Sequence, residues 1–375
     1  MNNIIINGEP VIARGGETIL EAARKVGVHI PTLCYLRERS GVASCRVCVV
    51  EVEGEPYPVP ACSTPVRDGM EITTDSPKLA AYRKLALELI LSSKGAALAA
   101  AARGDDAGET ELSRLCAELG VEPPAATDGA DELPTVEGNP FLSYDPNLCI
   151  ECQRCIGACN SAARNHSLQS RMRGSHVLID APFGPDWRAT DCESCGNCAQ
   201  ACPTGALSLK RSRDAAERPA AAAGIEASIA AGDVPIEQAA SRFVRTTCPH
   251  CGVGCQLELE VRGGRIVGAR GAQGASNRSL LCVKGRSASF DFVGSPDRLT
   301  SPLIRNRATG ELEPATWDEA LDLVATRFAQ LRDEHGGRSI AAFACSRSTN
   351  EDVYLFEKMA RTALQSNNID SCARV

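Results

Sequence analysis

The centre of the chain holds two runs of cysteines with the same internal spacing. They read Cys149-x2-Cys152-x2-Cys155-x3-Cys159 and Cys192-x2-Cys195-x2-Cys198-x3-Cys202-Pro203. A structural zinc site takes one ligand pair from each of two Cys-x2-Cys knuckles, so four cysteines in each run overfill a tetrahedral site. A disulfide framework is the other alternative for so many cysteines. The doubled spacing favours two polynuclear metal centres over either alternative.

This spacing is typical of ferredoxins that hold two [4Fe–4S] clusters. Three closely spaced thiolates bind three irons of a cubane, and the fourth iron takes a cysteine from the other run. We therefore expect crossed ligand sets, namely Cys149, Cys152, Cys155 and Cys202 for one cluster, and Cys192, Cys195, Cys198 and Cys159 for the other. One departure is Asn160, which follows Cys159 where a proline is typical. Residues 139–210 are thus predicted to form a bacterial-type 2[4Fe–4S] ferredoxin module.

Length, charge and cysteine usage narrow the classes of protein. The 375 residues allow two or three domains, and the 19 cysteines cluster in the manner of metal ligands in a reducing compartment. A net charge of −7 without a basic stripe argues against a nucleic-acid partner. The chain contains no apolar run of about 18 residues and no secretory signal pattern at Met1. We expect a cytoplasmic protein without a transmembrane segment.

Residues 1–75 are predicted to form a small β-grasp domain. Short β-type runs flank the turn signal Asn7-Gly8, and a capping box at Thr18 begins a helix that ends before Gly27. A further strand is predicted within Cys45–Glu53, which alternates in strand fashion. The cysteines of this segment read Cys34-x10-Cys45-x2-Cys48-x13-Cys62. Four thiolates suit a [2Fe–2S] cluster, with zinc as the alternative.

The motifs Pro31-Thr32-Leu33-Cys34 and Ser44-Cys45-Arg46-Val47-Cys48 carry a family resemblance. They resemble the N-terminal domain shared by the large iron–sulfur subunit of complex I, iron-only hydrogenases and NAD-linked formate dehydrogenases. In complex I relatives, one His and three Cys then hold a further [4Fe–4S] cluster. In this chain, residues 76–138 contain a predicted helix that begins at Ser76-Pro77. Cys116 is the only cysteine of the segment, and the segment has no histidine. We therefore expect that cluster to be absent, Cys116 to be a core thiol, and residues 121–138 to be a linker.

A fourth cysteine group follows a second predicted linker at residues 211–241. It reads Cys248-x2-Cys251-x3-Cys255-x26-Cys282, with two predicted strands between the last two cysteines. Four thiolates fit a [4Fe–4S] cluster, and a zinc ribbon is the alternative. His250 is expected to lie at the surface.

The residues around this group resemble the start of molybdenum or tungsten enzymes that bind bis-molybdopterin guanine dinucleotide, in particular formate dehydrogenases. The resemblance lies in Cys248–Gln256, Leu281–Arg286 and Pro296–Arg305. It implies a [4Fe–4S] domain over residues 242–305 and the truncated start of the molybdopterin α/β domain over residues 306–375. It also implies that Lys284 lies between the cluster and one pterin; the alternative is a solvated surface lysine.

The last segment is predicted to be α/β. Thr316 begins a capping box, and the helix that follows carries an apolar face that includes Trp317, Leu321 and Val324. We expect this face to be the buried one, but we also expect residues beyond about 305 to pack poorly, since few partners are present for an α/β core. Cys345 and Cys372 are expected to be ordinary thiols.

The run Asn367–Val375 resembles the one that directly precedes the active-site cysteine or selenocysteine of formate dehydrogenases. We expect the chain to end one residue before that position, with a UGA selenocysteine codon read as a stop. An arbitrary truncation is the alternative. No catalytic residue is therefore expected within the chain.

Together the modules predict an α+β multi-domain protein with one [2Fe–2S] and three [4Fe–4S] clusters, and a molybdenum or tungsten bis-pterin cofactor in the full-length protein. The resemblance implies the electron-relay part of a formate dehydrogenase alpha subunit, which interconverts formate and carbon dioxide. Flavin- and NAD-binding subunits or a ferredoxin would be its partners. The main alternative is a non-catalytic electron-transfer subunit of the complex I type. An iron-only hydrogenase and a zinc-binding interaction protein are the others.

Overall fold

The computed structural model describes residues 1–37, 42–104, 110–124, 133–136, 139, 141–171, 177–181, 187, 190–210, 241–288, 290, 292–295 and 297–372. The chain divides into two units, Met1–Pro219 and Ala220–Val375. Helices and strands are mixed in both units, in agreement with the predicted α+β multi-domain class. No helix within the described ranges is long and apolar enough to cross a membrane.

The first unit begins with a five-stranded sheet and one helix. These elements are β1 (Asn2–Ile6), β2 (Glu9–Ala13), α1 (Ile19–Lys25), β3 (Val49–Val52), β4 (Val59–Pro60) and β5 (Glu71–Thr73). The strand order is β2-β1-β5-β3-β4, with β1 parallel to β5, as a β-grasp fold requires. Asn7 and Gly8 both have positive φ, which gives the turn between β1 and β2 the twist that hairpins favour. The capping box at Thr18 is present, so the predicted start of α1 is confirmed.

Three helices follow the sheet and share a core with its cysteine loops. They are α2 (Pro77–Ser92), α3 (Ala96–Arg103) and α4 (Glu111–Leu119). Ser76 caps α2, and Pro77 occupies its first turn, where a missing N–H costs nothing. The buried guanidinium of Arg83 on α2 donates from Nη2 to the carbonyls of Val49 (2.9 Å) and Thr74 (2.7 Å). This pair of bonds fixes α2 against the sheet.

The third part of the first unit contains the two central cysteine runs. Its elements are β6 (Leu142–Tyr144), a 3-10 turn (Pro146–Leu148), α5 (Arg154–Ile156) leading into a π-helical turn (Gly157–Ala162), β7 (Gln169–Arg171), β8 (Leu178–Asp180), α6 (Asn197–Ala201) and β9 (Leu207–Leu209). Strand β6 pairs antiparallel with β9. Because β6 precedes the first run and β9 follows the second, this pairing brings the two runs together.

The second unit begins with an antiparallel sheet around the fourth cysteine group. Its elements are β10 (Arg242–Thr247), β11 (Gln256–Arg262), β12 (Arg265–Gly271), α7 (Val283–Ser287), β13 (Leu303–Arg305), β14 (Leu312–Pro314), α8 (Trp317–His335), a 3-10 turn (Gly337–Ser339), β15 (Ala342–Ala344), α9 (Asn350–Thr362) and β16 (Ile369–Ser371). Of the predicted linker 211–241, only Ser241 lies within the described residues. Strands β15 and β16 are parallel neighbours.

The expected buried face of α8 is wrong for this structure. Trp317 is 67% exposed, Leu321 59% and Val324 51%, and α8 buries none of its residues. The physical reason is the one expected from the sequence: the two-stranded sheet of β15 and β16 offers too little surface to cover the apolar face. The capping box at Thr316 nevertheless sets the start of α8 as predicted, because a cap depends only on local contacts.

Candidate iron–sulfur centres

The four cysteines of the N-terminal segment come together beside the sheet. Cys34, Cys45, Cys48 and Cys62 are all buried. The Cys34 thiol hydrogen-bonds with those of Cys45 and Cys62, and Cys48 hydrogen-bonds with Cys62. These bonds hold the pKa of Cys34 far below its ordinary value, whereas contact with Cys34 and then burial raise the pKa of Cys45. The pKa of Cys48 is also lowered and that of Cys62 is raised, so these thiols share their protons and only a bound cation would stabilise all four as thiolates.

Strand β3 begins later than predicted because residues Cys45–Cys48 form the loop that presents two of these thiols. Arg46, between them, has φ of 58°. A residue in the left-handed region interrupts the extended backbone that a strand needs. The expected strand at Cys45–Glu53 is thus shortened to Val49–Val52 by the geometry of the site.

The two central runs surround two separate cavities, and the cysteines cross between them. One cavity is lined by Cys149, Cys152, Cys155 and Cys202. The other is lined by Cys159, Cys192, Cys195 and Cys198. The structure therefore places together the two sets that the sequence predicts.

The two runs share one loop conformation. Glu151 and Gln153 flank the second cysteine of the first run, and both have positive φ, 58° and 59°. Ser194 and Gly196 occupy the equivalent places in the second run, with φ of 54° and 70°. Three of these four residues are not glycine, so the backbone bears a cost of about 1 kcal/mol at each. Such repeated strain is typical of a loop that is shaped to surround a ligand.

Burial controls the charge of the central thiols. Desolvation raises the pKa values of Cys152, Cys155 and Cys198 above the ordinary thiol value, and neighbouring cysteines raise them further. Such sulfurs keep their protons unless a cation compensates their negative charge. The irons of a [4Fe–4S] cluster supply that charge, and four inward thiols per cavity supply the ligands. The residues present therefore fit one such cluster in each cavity.

Hydrogen-bond donors to the sulfurs are the residues that sequence reasoning missed. The side-chain amide of Asn139 donates to Cys192 Sγ (3.5 Å) and that of Asn197 to Cys195 Sγ (3.3 Å). The backbone N–H of Leu207 donates to Cys202 Sγ (3.4 Å). Bonds of this kind tune the reduction potential of a cluster. Spacing alone could not identify Asn139, which lies 53 positions from its partner, whereas Asn197 and Leu207 lie 2 and 5 positions from theirs.

Cys34, Cys45, Cys48 and Cys62 form the first thiol group, Cys149, Cys152, Cys155 and Cys202 the second, and Cys159, Cys192, Cys195 and Cys198 the third. The first and second thiol groups are in structural contact. Arg154, between two cysteines of the first central run, donates from Nη1 to the carbonyl of Leu33 (3.1 Å), next to Cys34. The same nitrogen lies 2.7 and 2.8 Å from the two carboxylate oxygens of Glu111 on α4. Cys152 shares one apolar cluster with Cys34 and Cys45. A second apolar cluster contains members of both central sets, namely Cys149, Cys155, Cys159 and Cys198.

The segment between the first and second thiol groups forms the helices α2, α3 and α4. Cys116 on α4 is buried among leucines, and burial raises its pKa to about 11, as expected of a core thiol. The N–H of Leu112 donates to the carbonyl of Pro203 (3.0 Å), directly after Cys202. The predicted linker 121–138 is only partly described; within it Val121 is buried, Leu133 exchanges hydrogen bonds with the Asn147 side chain, and Val136 pairs with Tyr144.

The fourth cysteine group lies at one end of the second unit's antiparallel sheet. Cys248 is buried, Cys251 and Cys255 are half-buried, and Cys282 is exposed. Desolvation and then the other three thiols raise the pKa of Cys255, so the four sulfurs are close enough to interact. Spacing and proximity fit a [4Fe–4S] cluster at this group as well.

Asn277 holds the loop of this group together. Its Oδ1 accepts from the N–H of Gln256 (3.1 Å), next to Cys255, and its Nδ2 donates to the carbonyl of Leu280 (2.9 Å), close to Cys282. The side chain is buried and also reaches the carbonyl of Ala272. A Cβ on Gly274 would lie 2.5 Å from Asn277 Oδ1, so only glycine fits there.

Two expectations about single residues have different outcomes. Lys284 is exposed on α7, two positions after Cys282, and its role beside a pterin stays a prediction. The expectation that His250 lies at the surface is wrong: it is half-buried, and its Nε2 is buried without a hydrogen-bond partner among the described residues. The loop that carries it packs against a second loop, since a Cβ on Gly252 would lie 2.6 Å from the carbonyl oxygen of Ser348.

Four family models match successive parts of the chain. They are the 2Fe-2S iron-sulfur cluster binding domain (residues 2–77), the ferredoxin-like domain of NADH-quinone oxidoreductase subunit 3 (139–208), the molybdopterin oxidoreductase Fe4S4 domain (241–291) and molybdopterin oxidoreductase (298–375). Each cysteine group described above lies within one of the first three matches.

Curated relatives align with nearly the whole chain. The NADPH-Fe(3+) oxidoreductase subunit alpha of Geobacter sulfurreducens is 33% identical over 379 residues, and an NADH-quinone oxidoreductase subunit of Rhizobium meliloti is 31% identical over 381. A Staphylococcus haemolyticus protein named as a candidate formate dehydrogenase is 28% identical over 394 residues. These alignments cover 99–100% of this chain and 39–40% of each relative, so the chain spans about two fifths of their length.

A solved structure is similar as well. The NAD+-reducing [NiFe]-hydrogenase in the H2-reduced state has a TM-score of 0.50 and 27% identity, and the match covers 56% of this chain and 87% of that chain. The chain thus contains, in order, stretches that match a [2Fe–2S] cluster binding domain, a ferredoxin-like domain, an Fe4S4 domain of molybdopterin oxidoreductases and the start of a molybdopterin domain.

Proposed function

We propose that this chain carries electrons between a nicotinamide-linked partner subunit and a molybdenum or tungsten centre held by molybdopterin. The observation that carries the proposal is the unbroken contact between thiol groups in the first unit. Arg154 and a shared apolar cluster join the first group to the second, and another cluster joins the second to the third. Iron–sulfur clusters are one-electron carriers, and carriers in contact can pass electrons in series.

The proposed ligand sets follow the thiol groups. Cys34, Cys45, Cys48 and Cys62 would hold one [2Fe–2S] cluster, and the crossed central sets would hold two [4Fe–4S] clusters. Cys248, Cys251, Cys255 and Cys282 would hold a third [4Fe–4S] cluster. Lys284 would place its charge between that cluster and the pterin, where a cation favours an added electron.

We propose formate as the substrate of the full-length protein, which would interconvert formate and carbon dioxide. Support comes from the resemblance of Cys248–Gln256 and Leu281–Arg286 to formate dehydrogenases and from the relative named as a candidate formate dehydrogenase. The metal and its pterin would supply the bond-breaking chemistry, and this chain's residues would set potentials through burial and hydrogen bonds.

The test is anaerobic purification of the full-length protein with metal analysis. We expect about fourteen iron atoms and as many sulfides per chain, the sum of one [2Fe–2S] and three [4Fe–4S] clusters. Molybdenum or tungsten should accompany the iron, and formate should reduce a viologen dye. The Cys198→Ala variant should lose about four irons, whereas Cys116→Ala should lose none. A colourless protein that contains zinc would overturn the proposal.

A second candidate is a non-catalytic relay subunit of the NADH-quinone oxidoreductase type. It is favoured by the Rhizobium meliloti relative, which aligns with the entire chain. The same purification separates the candidates. A full complement of iron without molybdenum or tungsten, and without formate-dependent dye reduction, would support the non-catalytic relay.

A further inference from the structure

Two cysteines outside the four thiol groups lie side by side in the second unit. Strands β15 and β16 are parallel, with Ala342 opposite Ile369 and Ala344 opposite Ser371. The next residue on each strand is a cysteine, so the fold places Cys345 beside Cys372. Their Sγ atoms are 4.0 Å apart, and both residues are exposed.

The backbone geometry suits a covalent bond between them. Neighbouring strands lie about 4.8 Å apart, which falls within the range of about 4.4–6.8 Å between the Cα atoms of disulfide-bonded cysteines. The sulfurs are in non-bonded contact, and rotation of the two side chains can bring them to bonding distance without a change in strand pairing.

The two thiols are not equivalent. The N–H of Ser346 donates to Cys372 Sγ (3.4 Å), and the Ser346 hydroxyl lies 3.3 Å from the same sulfur. These contacts, followed by that with Cys345, lower the pKa of Cys372. Cys345 Sγ accepts from the N–H of Arg347 (3.4 Å) and lies 4.0 Å from Cys372 Sγ, but within the described residues it has no hydrogen bond with the Ser346 hydroxyl. Cys372 is therefore the better nucleophile and Cys345 the resolving thiol.

We propose that Cys345 and Cys372 form a redox-active dithiol that exchanges with low-molecular-weight disulfides such as glutathione disulfide. The Cys372 thiolate attacks one sulfur of the small disulfide, forming a mixed disulfide and releasing one thiolate. The Cys345 thiolate then attacks Cys372 Sγ, forms the intramolecular bond and releases the second thiolate. One disulfide is reduced to two thiols, and the protein dithiol is oxidised to one disulfide.

Oxidation of the pair would constrain the loop that begins at Cys345. Cys345 begins the loop whose Ser346 and Ser348 carbonyls lie closest to Gly252, between Cys251 and Cys255. An intramolecular disulfide would tie this loop to the end of β16. The pair thus couples the thiol–disulfide state of the surroundings to the segment that packs on the fourth cysteine group.

The experiment uses the full-length protein, anaerobically, in buffers of increasing glutathione disulfide content. After acid quenching, alkylation in denaturant and digestion, mass spectrometry locates linked peptides. We expect a Cys345–Cys372 peptide whose yield rises with the disulfide content and is reversed by dithiothreitol. The Cys345→Ser variant should instead accumulate glutathione on Cys372, and Cys372→Ser should react roughly tenfold more slowly at Cys345.

Both substitutions are at exposed positions, and a Cys116→Ser variant serves as the control, which should still give the linked peptide. The proposal is overturned if both cysteines remain separately alkylated at the highest disulfide content. It is equally overturned if each carries its own glutathione and no linked peptide forms.

Discussion

Tyr144 illustrates how single residues set the electronic environment of the second thiol group. Its side chain is fully buried on β6, and burial raises its pKa, so the hydroxyl keeps its proton. The hydroxyl accepts from the N–H of Ile179 (3.3 Å) and hydrogen-bonds with Cys149. Burial raises the pKa of Cys149, and Tyr144 opposes this rise. A donor to this sulfur stabilises negative charge, which also favours a reduced cluster.

The Tyr144→Phe variant should therefore lower the reduction potential of the cluster at this group. One lost hydrogen bond to a charged sulfur corresponds to a shift on the order of 20–60 mV towards more negative values. An anaerobic redox titration followed by electron paramagnetic resonance measures it. Tyr82→Phe, at a residue that is 42% exposed, is the matched control and should leave the potential unchanged. An unchanged or more positive potential in Tyr144→Phe would contradict the assigned donor.

Cys116 should make stability fall at high pH. Burial raises its pKa to about 11, so the folded state keeps a proton that the unfolded state releases near pH 8.5. Its contribution to stability is complete below about pH 8.5 and is lost as the pH rises to about 11, a difference of about 3 kcal/mol. We expect the free-energy difference between wild type and Cys116→Ala in urea unfolding to shrink across this range. Parallel pH profiles for the two proteins would refute the assignment.

At the scale of elements, α4 organises the contact between the first two thiol groups. Its first residue, Glu111, binds Arg154, and the next, Leu112, bonds to Pro203 after the last cysteine of the second run. One helix end thus touches both segments that supply the second group. The arginine continues the connection to Leu33 beside the first group.

Replacing Arg154 by alanine should weaken this connection. The guanidinium is 12% exposed; burial lowers its pKa but Glu111 raises it, with a net rise. Because Glu111 is 37% exposed and can regain water, we expect a loss of about 2 kcal/mol rather than the larger cost of a fully buried pair. Anaerobic urea unfolding measures the loss. Arg114→Ala, on the exposed side of the same helix, should change stability by less than about 0.5 kcal/mol.

At the scale of the whole molecule, cysteines of the thiol groups are part of the buried apolar cores of the β-grasp and ferredoxin-like parts. The buried core of the ferredoxin-like part contains four cysteines beside six leucines and isoleucines, whereas the β-grasp core contains two cysteines beside ten leucine, isoleucine and valine residues. We therefore expect metal ligation to contribute to folding more in the former than in the latter.

Iron removal by an anaerobic chelator should thus act unevenly along the first unit. We expect residues 141–171 and 190–210 to lose hydrogen-exchange protection first, and strands β1 and β5 to keep theirs longest. Hydrogen exchange with mass spectrometry resolves the two regions. Simultaneous loss of protection in both would show that the sheet also depends on the metal centres.

Local patterns are predictable from the sequence because their physics is local. The capping boxes at Thr18 and Thr316 and the hairpin at Asn7-Gly8 involve residues within a few positions of one another. The crossed grouping of the central cysteines is also predictable, since short spacings cannot complete a cubane. The exposed apolar face of α8 and the buried Nε2 of His250 are not, because each depends on which distant segments pack nearby.

The sequence by itself determined the order of the modules, the number of thiol groups and the residue types in each group. The reason is that most ligands of a group lie a few residues apart in the chain, so their spacing can be read directly. Only the tertiary structure decided how the groups meet. Arg154 reaches Leu33 across 121 positions, and Cys345 meets Cys372 across 27. Such contacts depend on strand pairing and helix packing, which bring together residues whose separation in the chain carries no signal.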